Sequence, residues 1–557
     1  MNRIYQLSPG RVCHRAFLPL LLTVFMVAAL DSNAARHERL IDSWKPMHYD
    51  IALTFNDQLT EVTNARAEIT VTTLKDRVSL IDLDFGQMTV DSVAVNKTAA
   101  PFEHISEGLR VHMVQPVAIG ARLVIVVLYH GRPKDGLILT KDKDGRPAAI
   151  GDNWPNRVHD WIPCFDHPSA KATVSFSITA PARDLVVANG SLDRVRTVSD
   201  SRRTWTYTER APIPPYCMVV GVGEFGKIEA TPVGGTSLWY YVPPSNSKSA
   251  VKGFAPAGPS LKLFSEMVAA YPYEKLALIV GATRFGGMEN SSAIVFPGNI
   301  FDASSDAPSS AVFDMRLATV ATVAHEIAHQ WFGDSVTEAT WSDLWLSEGF
   351  ATYFAGLFIQ RYEGEEAFQK YLRQAAESYL QYERQNRTPL FDTQTEDLYK
   401  LLNPNNYEKG AWVLHMLQSI VGRDAFLRGI RTYYRTHKDS TATSEDLRLA
   451  MEQASGMNLR QFFNSWIYGT GHPLYELTWH WDHVEGALTL QLDQLQPEAA
   501  FPNWLPINVL TPAGKRSFVF KPQSKNTIEK MPLREAPTSI QVDPENTVLK
   551  EVTVKSR

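Results

Sequence analysis

The sequence predicts a multidomain α+β protein, with a β-sheet domain, a helical domain and a small β-sandwich following one another along the chain. Three observations predict it. At 557 residues the chain is too long for one hydrophobic core and divides into about three. The apolar period is two from about Trp44 to Phe225, helical from about Ser260 to Tyr468, and two again after Gly471-His472-Pro473. An apolar fraction of 44% and a charged fraction of 21% are those of an ordinary globular protein, so neither disorder nor a membrane bundle is indicated.

The elements follow in order. Arg3, Arg11 and Arg15 precede an apolar run from Ala16 to Leu30, and Ser32-Asn33-Ala34 offers a small-x-small cleavage site. Residues 1–34 therefore read as a signal peptide of an exported protein, periplasmic or secreted, with an uncleaved membrane anchor as the alternative. The run is short and interrupted by Pro19, and no second long apolar run occurs, so no stable membrane span is expected in the mature chain. Residues 35–229 read as an all-β domain. Tyr49, Ile51, Leu53 and Phe55 alternate with other residues, as do Leu123, Ile125, Val127 and Tyr129, and as do Ala172, Val174, Phe176 and Ile178. Glycines cluster near Gly223 to Thr236, which places a boundary there.

Residues 230–471 form the helical domain, with one short apolar strand at Leu276 to Val280. Thr443-Ser444-Glu445-Asp446 reads as a helix start, and Gly456 as that helix's end. Residues 472–557 return to strands: Leu477, Trp479 and Trp481, then Leu488, Leu490 and Leu492 across a turn at Glu485-Gly486, with another turn at Pro512-Ala513-Gly514. A formal charge of −5 and the absence of a basic block argue against nucleic acid as a partner. Beyond Cys13, only Cys164 and Cys217 remain, and they read equally well as a pair or as two buried thiols.

The chemistry concentrates between Val323 and Ala351. His325-Glu326-x-x-His329 is followed by Glu348, with residues 330–347 between. Positions i and i+4 share a helix face, so the two imidazoles can address one point. Two histidines and a carboxylate leave a tetrahedral Zn²⁺ with an open position, the arrangement of a catalytic site rather than a structural one. Glu326 would lie beside a water at that position and could take its proton. Leu317, Val320, Val323 and Ile327 place the motif on a partly buried helix. Trp345 to Gln360 reads as a second apolar helix that returns Glu348 to the first. Two further stretches stand out: Gly286-Gly287-Met288-Glu289-Asn290 after the short strand, and Asn406-Tyr407-Glu408-Lys409-Gly410 at the start of an apolar helix.

Together these motifs resemble the M1 family of zinc aminopeptidases, the gluzincins that include aminopeptidase N and leukotriene A4 hydrolase. Pro163-Cys164-Phe165-Asp166 is similar to a further stretch of that family, and the resemblance covers nearly the whole chain after residue 34. It implies a thermolysin-like zinc domain in the middle of the chain and one Zn²⁺ held by His325, His329 and Glu348. It also implies Glu326 as general base and later proton donor, and Tyr407 as hydrogen-bond donor to the oxyanion. Gly286, Gly287, Met288, Glu289 and Asn290 would bind substrate, Glu289 pairing with the free α-ammonium of a peptide. The implied reaction is removal of the amino-terminal residue by zinc-activated water.

The chain departs from the family pattern in places. Asp166-His167-Pro168 stands where Asp-Glu-Pro is common, and Ser347 stands in place of Asn before the zinc glutamate. Trp154 falls where many members have a Glu or Gln beside the amine, and a tryptophan can meet an ammonium only with its ring face. The expectation is a short form without the C-terminal helical domain of many relatives, with a more open cleft. Two other readings use the same residues: a zinc endopeptidase of thermolysin type, for which Glu289 would have no use, and a catalytically silent binding protein on this fold.

Overall fold

A computed structural model describes residues 36–301, 309–522 and 524–557, with side chains of its longest motif-bearing helix from Arg316 onward. The signal-peptide reading of 1–34 lies outside the described residues. The chain is a multidomain α+β protein with strands first, helices next and strands last.

An eight-stranded sheet dominates the first part. Its centre is Trp44–Phe55, paired parallel to Ala172–Pro181 and antiparallel to Val62–Thr73. Tyr49, Ile51, Leu53 and Phe55 are all buried while their alternates are not, so this sheet has one wet face, as its period requires. The register places Ile51 beside Phe176 and Ala67, which lines up the buried row across three strands. Cys164 and Cys217 are both free and buried.

The middle part differs from the sequence reading. Gly226–Val233, Thr236–Val242, Lys275–Gly281 and Ala293–Pro297 form a four-stranded sheet in chain order, the first pair antiparallel and the others parallel. In the glycine cluster, Gly234 and Gly235, both with positive φ, turn a hairpin, and residues 229 and 230 lie within Gly226–Val233. Helices then take over, with Ser309–His329 packed on Trp345–Glu363 and the latter on Glu365–Glu383 and Gly410–Val421. Thr443 caps Ser444–Ser455 with a reciprocal bond to Asp446, and Gly456 ends it at φ 70°. Two sheets, of four and three strands, finish the chain and share buried Leu477, Leu488, Leu490, Ile507 and Val509 with the helical core.

Polar contacts tie the first part to the segments on both sides of the motif helix. Lys171 Nζ donates to the carbonyls of Asp334 (2.7 Å) and Ser335 (2.7 Å) and to Thr337 Oγ1 (2.9 Å). Asn189 Nδ2 donates to the Ser291 carbonyl at 2.7 Å. Among the described residues no helix is long and apolar enough to cross a membrane.

Candidate active site

His325 and His329 lie one turn apart at the end of Ser309–His329, with ring centroids 4.6 Å apart and ring planes at 81°. Their Nε2 atoms converge to 2.9 Å. Glu348 occupies the first turn of Trp345–Glu363, and its Oε2 lies 3.3 Å from His325 Nε2 and 3.4 Å from His329 Nε2. Ligand atoms 2.0–2.1 Å from a tetrahedral centre stand about 3.3 Å apart. The trio therefore has the spacing a bound cation needs, and the donor set fits a divalent transition metal.

The outer nitrogens set the rings. His329 Nδ1 faces the Phe332 carbonyl and Ser347 Oγ, each at 3.1 Å, and His325 Nδ1 lies 3.5 Å from Thr352 Oγ1. A carbonyl can only accept, so His329 donates from Nδ1 and turns its Nε2 toward Glu348 and His325. Ser347, one of the residues that depart from the family pattern, keeps a hydrogen-bonding group at this spot.

Glu326 lies against the glycine loop. A Cβ on Gly287 would stand 2.3 Å from its carboxyl, so only glycine permits this approach. Its Oε2 is buried without a hydrogen-bond partner among the described residues. Tyr407 comes from a π-helical turn, Asn405–Lys409, and its ring lies parallel to that of His325 with centroids 5.9 Å apart. Gly349 and Gly410 bring the two helices together: a Cβ on either would be 2.8 Å from the other's Cα.

These groups border one cavity of about 590 Å³. Gly286, Gly287, Met288 and Glu289 line it with the trio, Glu326 and Tyr407. Asn290 lies behind the loop, fully buried, its Nδ2 donating to the Met288 carbonyl at 3.3 Å. Met288 also pairs with Val295 through two backbone bonds, so the loop is held by the edge strand Ala293–Pro297. Trp154 lines the cavity between Phe285, Trp341 and Tyr399, all edge-on.

The sequence reading missed a wall of this cavity. Tyr371, Gln374, Ala375 and Ser378 line it from Glu365–Glu383, and their i, i+3, i+4, i+7 spacing was the available signal. Gly333, at φ 115°, was also missed.

Acid is in excess here. Burial, then the charge of Glu348, holds the Glu289 carboxyl up at about 7 against the opposing pull of His329. Burial likewise raises the carboxyls of Glu326, Asp334 and Glu338 well above the usual range. Glu348 is the exception: burial opposes its ionisation, but the charge on His329 and hydrogen bonds from both imidazoles outweigh it and bring it to about 2. A cation is what this set of carboxyls lacks.

Comparison with known proteins agrees with this arrangement. The Peptidase M1 N-terminal domain matches residues 45–217 and the Peptidase family M1 domain matches residues 258–466. Probable aminopeptidase 2 of Sulfurisphaera tokodaii is 30% identical over 57% of this chain and 41% of its own length. Rat (Rattus norvegicus) glutamyl aminopeptidase is 28% identical over 60% of this chain and 36% of its own. Tricorn protease-interacting factor F2 of Thermoplasma acidophilum is 26% identical over 79% of this chain and 56% of its own. The chain thus spans about half the length of such relatives or less. With both parts of the family matched in order, and the His325, His329 and Glu348 trio inside the second, the chain belongs to peptidase family M1.

Proposed function

We propose that this chain is a zinc-dependent aminopeptidase that removes single residues from the amino termini of peptides. One observation carries the reading: a buried carboxylate, Glu289, faces the same cavity as the His325, His329 and Glu348 trio. A buried acid without a partner is costly, and a peptide's α-ammonium is the partner that fits it. An endopeptidase would have no use for it. The relatives' names, aminopeptidases among them, support the same reaction.

His325, His329 and Glu348 would hold the zinc, which when bound would polarise the scissile carbonyl and bring the pKa of a water near neutrality. Glu289 anchors the ammonium, and the backbone of Gly286 and Gly287 runs beside the peptide. Glu326 takes a proton from the attacking water and delivers it to the leaving amine. The Tyr407 hydroxyl donates a hydrogen bond to the carbonyl oxygen as it gains charge. The basic-then-apolar pattern of residues 1–34 supports export to a periplasm or out of the cell.

The test is hydrolysis of a panel of aminoacyl-aminocoumarins, each free and N-acetylated, with and without a zinc chelator. Cleavage of the free amines alone, abolished by chelator and reduced roughly 10²–10⁴-fold in Glu326→Gln, is the expected result. Equal cleavage of the acetylated set would move the protein to the endopeptidases. No cleavage by a zinc-loaded enzyme would favour a binding protein.

A further inference from the structure

The cavity has two unlike walls. Beside Glu289 it is apolar, built from Trp154, Phe285 and Met288. Trp154 is held there by ring centroids at 5.9 Å (Phe285), 5.7 Å (Trp341) and 5.9 Å (Tyr399). The other wall is more polar: Tyr371, Gln374 and Ser378 beside Ala375 on one face of Glu365–Glu383, Thr322 one turn before His325, and Glu408.

Glu408 is the acid of that wall among the described residues, and the π-helical turn explains its position. The turn directs Tyr407 onto the His325 ring and its neighbour toward Glu365–Glu383, where Ser378 Oγ donates to Glu408 Oε1 at 3.0 Å. No lysine, arginine or histidine among the described residues forms an ion pair with this carboxyl, and Oε2 accepts no side-chain hydrogen bond from them. The residue is half-buried, so its charge is only partly hydrated. Burial raises its carboxyl above the ordinary value, which a cationic partner would reverse. A carboxylate needed only to fasten the turn would be satisfied by serine alone or replaceable by an amide. One placed on a cavity wall without a cation is an unfilled ion-pair site.

We propose that Glu408 determines specificity on the leaving side of the cleft, selecting substrates whose second residue is lysine or arginine. The inference rests on the aminopeptidase reading, which fixes the polarity of the peptide. With the ammonium at Glu289 and the scissile carbonyl at the trio, the second residue continues past the trio, away from Trp154 and Phe285. The polar wall is what it meets. A basic side chain of that residue reaches the Glu408 carboxylate, an acidic one is repelled, and an apolar one leaves the carboxylate unpaired.

The experiment compares kcat/KM for Ala-Arg-Ala, Ala-Leu-Ala and Ala-Glu-Ala with the full zinc-loaded chain, as wild type, Glu408→Gln and Glu408→Asp. A partly desolvated ion pair predicts a preference for Arg over Leu of about tenfold, with Glu slower still. Glu408→Gln should bring the Arg-to-Leu ratio to about unity, and Glu408→Asp should retain part of it. Ratios within one variant cancel differences in folded fraction, and the wild-type ratios stand even where a variant fails to fold. Equal rates for the three peptides in wild type, or an Arg preference that survives in Glu408→Gln, would overturn the proposal while leaving the aminopeptidase reading intact. Failure to cleave any of the three, and alanyl-aminocoumarin as well, would overturn that reading and this inference with it.

Discussion

Two imidazole nitrogens 2.9 Å apart, with a carboxylate oxygen 3.3–3.4 Å from both, are close enough for one cation to join all three. What keeps them so is the loop behind His329. Gly333 adopts φ 115°, where side chains are strained, and a Cβ there would stand 2.3 Å from Ser347 Oγ and 3.0 Å from His329 Nδ1. Gly333→Ala should push away the groups that orient His329 and weaken zinc affinity about 10–100-fold. Competition with a chelator of known affinity measures this, and an unchanged affinity would show that Ser347 and the Phe332 carbonyl do not set the ring. Tyr407 acts at another stage. Its hydroxyl is held protonated by burial, then by the charges of Glu348 and Glu289, so it is a donor throughout the physiological range. Tyr407→Phe should lower kcat about 10²–10³-fold with KM little changed, the signature of a bond made only in the transition state. A rise in KM alone would assign Tyr407 to substrate binding instead.

Helices and the glycine loop bring the site together, and two of the helices meet closely at Gly349 and Gly410. Each follows a functional residue within three positions, Glu348 in one case and Tyr407 in the other. Gly410→Ala would force the helices apart, costing on the order of 1–3 kcal/mol of stability by overpacking and withdrawing Tyr407 from His325. Urea unfolding and steady-state kinetics on the same variant test both effects; normal stability with normal kcat would mean the contact positions nothing. These helices were legible in the sequence because their apolar positions recur with period 3.6, and the trio because HExxH ends one helix and Glu348 lies in the first turn of the next long one. The mixed sheet was not legible beyond one strand. Lys275–Gly281 is buried on both faces, so it shows an apolar run without alternation, and Gly226–Val233 is largely exposed, so it shows no apolar period at all. The polar cavity wall was hidden for a related reason: Tyr371, Gln374 and Ser378 read as the wet face of an amphipathic helix, and only tertiary packing turns that face toward the trio. Asn290 sits next to Met288 and Glu289, which border the cavity, and its own amide closes the turn behind them.

The whole molecule concentrates buried acid at its centre. Glu289, Glu326, Asp334 and Glu338 all have raised carboxyls, and neither oxygen of Glu338 has a hydrogen-bond partner among the described residues. Three connections made across the structure hold this cluster in place: the first sheet through Lys171, the mixed sheet through Met288 and Val295, and the helices through Gly349 and Gly410. The energetic consequence is a stability that depends on pH once zinc is removed. An acid whose folded pKa is raised keeps a proton that the unfolded chain has already lost, so folding is favoured at low pH. That advantage disappears as pH climbs from the unfolded value, about 4.5, through the folded one, about 7 for Glu289. A shift of this size corresponds to about 3 kcal/mol for Glu289 alone, an upper figure because neighbouring acids share it. The chelator-treated protein should therefore lose thermal stability steadily between pH 5 and pH 8, and Glu289→Gln should flatten the slope by removing one titrating group. Zinc should restore most of the loss at pH 8 and less at pH 5, where protonated imidazoles compete with the metal. Differential scanning calorimetry of the apo and zinc-loaded protein across this range decides the matter. An apo melting temperature that stays level from pH 5 to pH 8 would mean that water or protein groups already compensate the cluster, and that the cation adds chemistry to the site but little to the fold.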